Sequence, residues 1–214
     1  MKIYFTRHGK TQWNKEHRLQ GMHGDSPLLP ESYQAIHLLG KYLEDVSFTK
    51  IYSSTLQRAK DTAQGIENEL KQSTEIIYDP NLREIGFGKI EGHNFDHLAH
   101  DYKEQMYDLR HQLDQYDPSA YQGETVDQVI ERMTETIFKA IEENKGPLLF
   151  VGHGASLTMT IQHLIGKSPN QYRAMGGLDN NSLTVLETQN ETLPFQLVKW
   201  NDSHFLSDLE KIKA

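Results

Sequence analysis

Short apolar runs along this chain alternate with longer stretches whose apolar residues recur every three or four positions, the pattern of strands separated by amphipathic helices. Lys2 to Phe5 reads as a buried strand. From Pro30 to Leu43 the residues Ala35, Ile36, Leu38, Leu39, Tyr42 and Leu43 define one buried helical face. Phe48 to Ser53 reads as a second strand, and Ser53-Ser54-Thr55 offers an N-cap for a helix from Leu56 to about Leu70. Glu75 to Tyr78 is a third, short strand. Leu98, Tyr102, Met106, Leu109 and Leu113 form an apolar stripe, predicting a helical flap between His93 and Gln115 that packs on the body. Val126 to Ile141 predicts a long amphipathic helix ending near Asn144-Lys145-Gly146, and Leu148 to Val151 is apolar throughout, hence a central strand. Leu183 to Leu186 and Phe195 to Trp200 read as a hairpin-like pair, with a short helix over Phe205 to Ile212.

Two of these runs end alike. The first stops at Thr6-Arg7-His8-Gly9 and the central one at Gly152-His153-Gly154, so each delivers a histidine to the carboxyl edge of a sheet, where open α/β sheets bind ligands. Arginine offers a planar fork matched to phosphate oxygens, and a neutral imidazole can attack phosphorus or carry a proton. Arg58 falls in the first turn of its helix, where free amides already favour an anion. Glu84, on the loop Leu82 to Gly88, is a candidate general acid for a leaving alkoxide. The polar loop from Lys10 to Leu28 is too long for turn chemistry alone and is expected to line the site. Its Asn14 can donate to a phosphate oxygen, as can Gln20 with the Gly21 backbone, while Gly154 and the helix start near Ala155 offer amides.

Arg7-His8-Gly9 with Thr11, Trp13-Asn14, Arg18, Gln20-Gly21 and Asp25-Ser26-Pro27-Leu28 resembles the opening signature of the histidine phosphatase superfamily, the phosphoglycerate-mutase-like proteins. Ser53-Ser54, Gln57-Arg58-Ala59, Leu82-Arg83-Glu84, Glu91-Gly92, Gly123-Glu124-Thr125, Arg132 and Val151-Gly152-His153-Gly154 continue the likeness in order. The resemblance is weakest from His93 to Gln122, and it departs at Lys10, where the family usually has an acid, and at Ser32, where a glycine is common. It implies a single α/β domain over residues 1–214, a three-layer α/β/α sandwich with a mostly parallel sheet and a flap inserted at about 93–122. It also implies a phosphate site of Arg7, His8, Arg58 and His153, with His8 as nucleophile and Glu84 as proton donor.

Composition narrows the chemistry. A net charge of −8 disfavours nucleic acid and anionic membranes as partners, so an anionic small-molecule substrate has to meet a local cationic site. No run of ~18 apolar residues or signal core is present, and there are no cysteines, consistent with a cytoplasmic protein that lacks disulfides and thiolate metal sites. His93, His97, His100 and His111 lie on the flap's polar side and need no metal, and no organic cofactor is called for.

The expectation is a broad phosphomonoester phosphatase. A phosphoglycerate mutase and a silent phospho-ligand module are the alternatives. Mutases of the family carry an adjacent arginine pair after the Glu84 position, where this chain has Lys89, Lys103 and a lone Arg110, and they typically place tyrosine at the position of Phe87. The flap's Asp96, Asp101, Glu104 and Asp108 outnumber its cations, which predicts that esters with a second, distant phosphate are disfavoured. Oligomeric state is not legible.

Overall fold

In a computed structural model, which describes residues 1–207, one six-stranded sheet organises the chain. Its strands are β1 (Lys2–Arg7), β2 (Lys50–Ser54), β3 (Ile76–Asp79), β4 (Leu148–Gly152), β5 (Leu183–Glu187) and β6 (Gln196–Asp202). The order is β3-β2-β4-β1-β5-β6, and β1, β2, β3 and β4 run parallel, with β5 and β6 antiparallel at one edge. The fold is α/β with a mostly parallel sheet. The two last strands form the expected antiparallel pair; of the final helix expected over Phe205 to Ile212, the part beyond 207 lies outside the described residues.

Alternation along the buried strands splits the core into two layers. Ile3, Phe5, Leu148 and Phe150 face one side, where Phe150 stacks on Phe5 and Tyr52 at 5.3 Å and meets α6 (Val126–Glu143) and α7 (Gly154–Leu164). Leu149, Val151 and Ile51 face the other, against α2 (Pro30–Leu43) and α3 (Gln57–Glu67). Each such side chain withdrawn from water contributes about 1.5–3 kcal/mol, which makes β4, buried at every position, the least replaceable strand.

The helix starts differ from the sequence pattern in one informative place. α3 begins at Gln57 with Leu56 as its N-cap and no side-chain cap, and it ends at Glu67 rather than near Leu70. Ser54 belongs to β2, and its hydroxyl accepts from His153 at 2.8 Å and from Leu56 N at 3.3 Å, an amide ahead of the helix rather than one of its first turn. A four-residue helix, α1 (Gln12–Lys15), interrupts the loop after β1, built on a capping box between Thr11 and Asn14. The flap is two helices, α4 (Phe95–Asp101) and α5 (Lys103–His111), broken at Tyr102 (φ −126°, ψ 51°). Its apolar stripe is buried as expected at Leu98, Met106, Leu109 and Leu113. Ser32, in the first turn of α2, donates its hydroxyl to Lys10 O at 2.6 Å.

Candidate active site

Strand register brings the two histidines together. Parallel pairing sets Arg7 opposite Gly152, so the residues that follow, His8 and His153, emerge side by side with ring centroids 5.1 Å apart. Ser53 pairs with Val151, which puts Ser54 next to the same edge and lets α3 start there with Arg58 in its first turn. Three neighbouring parallel strands therefore end on one point.

Hydrogen bonds define the tautomers. His8 Nδ1 lies 2.7 Å from Gly9 O and must donate to it, which leaves Nε2 as a lone pair. Arg58 Nε donates to that nitrogen at 3.3 Å and to His153 Nδ1 at 3.2 Å, so His153 carries its proton on Nε2 and donates to Ser54 Oγ. Burial, reinforced by Arg58, pushes both imidazoles well below the usual histidine range, and both are neutral at pH 7.

Arg58 is 1 % exposed and is held by Gly24 O, Gly21 O and an ion pair with Asp25 at 2.9 Å. With the Gln20 amide oriented so that its nitrogen donates to Thr11 Oγ1, its oxygen accepts from Arg58 Nη1 at 3.1 Å. Burial lowers Arg58 somewhat, and Asp25 opposes that shift. Arg7 donates to Leu178 O at 2.8 Å and packs against Gly154, where a Cβ would lie 3.1 Å from the guanidinium carbon.

Glu84 sits on the N-terminus of α7. Its oxygens accept from Ile85 N (3.0 Å), Ala155 N (2.9 Å) and Ser156 N (2.7 Å), so the amides expected to meet substrate meet this carboxylate instead. The loop beneath it is fixed by Arg132, which forms an ion pair with Glu124 at 2.6 Å and donates to the carbonyls of Arg83 and Glu84. A second carboxylate, Glu91, accepts from the amides of Met22, His23, Gly24 and Phe87, tying the loop after β1 to the Glu84 loop.

These groups border a cavity of about 330 Å³. Arg7, His8, Asn14, Gln20, Glu84 and Gly154 line it, whereas Arg58 and His153 are buried and not in the lining. Gly21 is not in the lining; its carbonyl faces Arg58, and a Cβ there would come within 3 Å of Glu91 and of Ile85 O. Asn14 Oδ1 accepts from Thr11 N and closes the capping box, leaving its amide nitrogen for the cavity. Lys10 is exposed and absent from the lining.

Several lining residues escaped the sequence reading. Arg173 and Leu178 come from the segment between α7 and β5; Arg18, from the first loop, was part of the family signature but carried no expected site role. Nearby, Asn180 donates to His8 O at 2.8 Å. Of the flap, Phe95, Leu109 and Arg110 reach the cavity, and Asp96, Asp101, Glu104 and Asp108 do not. The charge argument from flap composition is corrected accordingly: those four acids are not in the lining, and cations reach it from the flap itself at Arg110 and from other segments at Arg18 and Arg173. Among the described residues no three His, Asp or Glu side chains converge as a metal site requires.

A family model described as Histidine phosphatase superfamily (branch 1) matches residues 3–203. The chain belongs to that superfamily. Among relatives, Fructose-2,6-bisphosphatase TIGAR B of Danio rerio is 32% identical over 196 residues, covering 76% of this chain and 74% of that one. Probable phosphoglycerate mutase GpmB of Escherichia fergusonii is 34% identical over 170 residues, with 78% and 75% covered. Bacillus stearothermophilus YhfR has a solved structure with a TM-score of 0.88 at 29% identity, covering 96% and 98%. This superfamily member is an enzyme of phosphate-monoester chemistry, in keeping with the strand-end histidines. No helix among the described residues is long and apolar enough to cross a membrane.

Proposed function

We propose that the protein hydrolyses small phosphate monoesters through a phosphohistidine at His8, with residues 1–214 acting as one catalytic unit whose 93–122 insertion walls the cavity. A cysteine-free chain with no candidate membrane helix among its described residues suits action in the cytoplasm. The observation that carries the reading is Arg58 Nε pointing at both His8 Nε2 and His153 Nδ1. A neutral His8 held by Gly9 O keeps its nucleophilic lone pair directed away from the backbone, with an arginine already beside it.

In the first step Nε2 bonds to phosphorus and the ester oxygen departs with a proton from Glu84. In the second, Glu84 takes a proton from water, whose oxygen bonds to phosphorus and releases phosphate and neutral His8. Arg7, Arg58 and His153 stabilise the phosphoryl oxygens, and Asn14 and Gln20 help place them. No group beyond these residues is invoked.

One observation favours a second reading, a mutase: Arg18, Arg110 and Arg173 supply cations that could hold the far end of a bisphosphate. Phe87 in the lining, where mutases of the family typically carry tyrosine, favours the hydrolase. Incubation with 3-phosphoglycerate, with and without 2,3-bisphosphoglycerate, separates them. Phosphate release should outrun formation of 2-phosphoglycerate, and the reverse order would replace hydrolase by mutase.

A further inference from the structure

The turn that leads into β5 holds the strand end carrying His8 at three points. Leu178 O accepts from Arg7 Nη1 at 2.8 Å, Asn181 N donates to Arg7 O at 3.0 Å, and Asn180 Nδ2 donates to His8 O at 2.8 Å. Asn181 has φ 57°, a left-handed conformation that asparagine tolerates, and the turn presents two consecutive residues to the same strand end. It is anchored in turn from the edge strand. Pairing of β5 with β6 slips between Leu183↔Asp202 and Val185↔Lys199, which gives β6 one extra residue in the stretch that contains Asn201, at φ 47°. The Asn201 side chain accepts from Asp179 N at 2.7 Å and donates to Asp179 Oδ2 at 3.0 Å, so the residue before Asn180 is gripped at backbone and side chain.

Asn180 Nδ2 carries two hydrogens, and its second acceptor is Asn14 Oδ1 at 3.5 Å, the same oxygen that accepts from Thr11 N at 3.1 Å. With its oxygen held by two donors, the Asn14 amide shows its nitrogen to the cavity that Asn14 borders. Asn180 itself is not in the lining. Resting on the phosphatase reading above, we propose that Asn180 is a positioning residue for phosphoryl transfer, whose one amide fixes the backbone of the nucleophile and turns the Asn14 nitrogen toward the phosphate oxygens. It acts through His8 and Asn14. Two substitutions separate this from mere support of the turn. After Asn180→Ala, Thr11 N still holds Asn14, whereas Asn180→Asp keeps the size and sets an acceptor against two oxygens. Asn14 then offers its nitrogen to the new carboxylate and its oxygen to the phosphate.

The test is hydrolysis of p-nitrophenyl phosphate and calorimetric binding of orthophosphate by the full chain with each substitution, with urea titration to score folding. Asn180→Ala should lower kcat/KM about 5-fold and Asn180→Asp about 50-fold, with orthophosphate affinity falling in the same order. In an Asn14→Ala background the gap between the two should shrink at least ~3-fold, because the amide whose orientation is at stake is gone. Equal kinetics for the two variants, or a gap that persists unchanged without the Asn14 amide, overturns the proposal. Where the variants fold poorly, the unaltered protein labelled with nitrogen-15 decides: the side-chain amide signals of Asn14 should move as orthophosphate saturates the site, and unmoved signals overturn the orientation. Release of p-nitrophenol by the unaltered protein is read in parallel. Its absence, with the order of orthophosphate affinities intact, would discard the phosphatase reading and keep the role of Asn180.

Discussion

Arg58 Nε stands 3.3 Å from His8 Nε2 and donates its proton to the atom assigned as nucleophile. A phosphoryl group on Nε2 replaces that nitrogen as acceptor with its own oxygens, so the same N–H serves the empty site and the phosphoenzyme. His8→Ala should lower turnover by more than about 10³-fold, and His153→Ala, which removes a supporting partner, by about 10–100-fold. Rapid quenching and mass spectrometry should place an acid-labile phosphate on His8. A phosphate on another residue would sink the assignment.

Glu84→Gln keeps an acceptor for the α7 amides but removes the transferable proton. Alkyl phosphates should slow by about 10²–10⁴-fold and p-nitrophenyl phosphate far less, because its leaving group hardly needs protonation. Equal losses on both esters would take Glu84 out of the acid role.

The two depressed histidines make folding pH-dependent. Below pH 6.5 the unfolded chain binds protons that the folded site refuses, so stability present above that value is lost as pH falls toward the folded pKa values. The slope should approach two protons, or about 2.7 kcal/mol per pH unit, at its steepest. Urea titrations between pH 7 and 5 measure it. His153→Gln should remove about half of the slope, and an unchanged slope would mean that these imidazoles titrate normally.

Arg132 positions the Glu84 loop without reaching the cavity lining. Arg132→Ala strands the Glu124 carboxylate, whose side chain is 12% exposed, and should cost about 3 kcal/mol in denaturant titration. Because the loop carbonyls of Arg83 and Glu84 lose their donor, kcat on alkyl phosphates should fall more than kcat on p-nitrophenyl phosphate. Arg132→Lys, which cannot reproduce the fork, should recover stability in part and the leaving-group dependence less. If the two esters respond alike, Arg132 acts on stability only.

The histidines stood at the ends of apolar runs and Arg58 at a helix start, while Glu84 was picked out by its place between a strand and a glycine-rich turn; the family resemblance selected Arg58 and Glu84 among such positions, and parallel register brings the strand ends together. Arg173 and Asn180 lie in irregular segments about 165 and 172 residues beyond His8, where no periodicity signals proximity. Composition misled at the flap, because a count of carboxylates ignores which way each helix face turns. The break at Tyr102 was hidden for a related reason: the apolar stripe runs across it at the spacing of one continuous helix. Likewise Ser54 looked like a cap until the partner its hydroxyl actually holds, His153, could be seen.

The Glu91 carboxylate gathers four amides from two loops that are some 60 residues apart in the chain. Neither loop can lift away alone without leaving that carboxylate short of donors, so the walls that carry Gln20 and Glu84 open as one cooperative unit. In hydrogen exchange the amides of Met22, Gly24 and Phe87 should lose protection at a common rate, and releasing Glu91 by substitution should raise all three together while the strands of the sheet keep theirs.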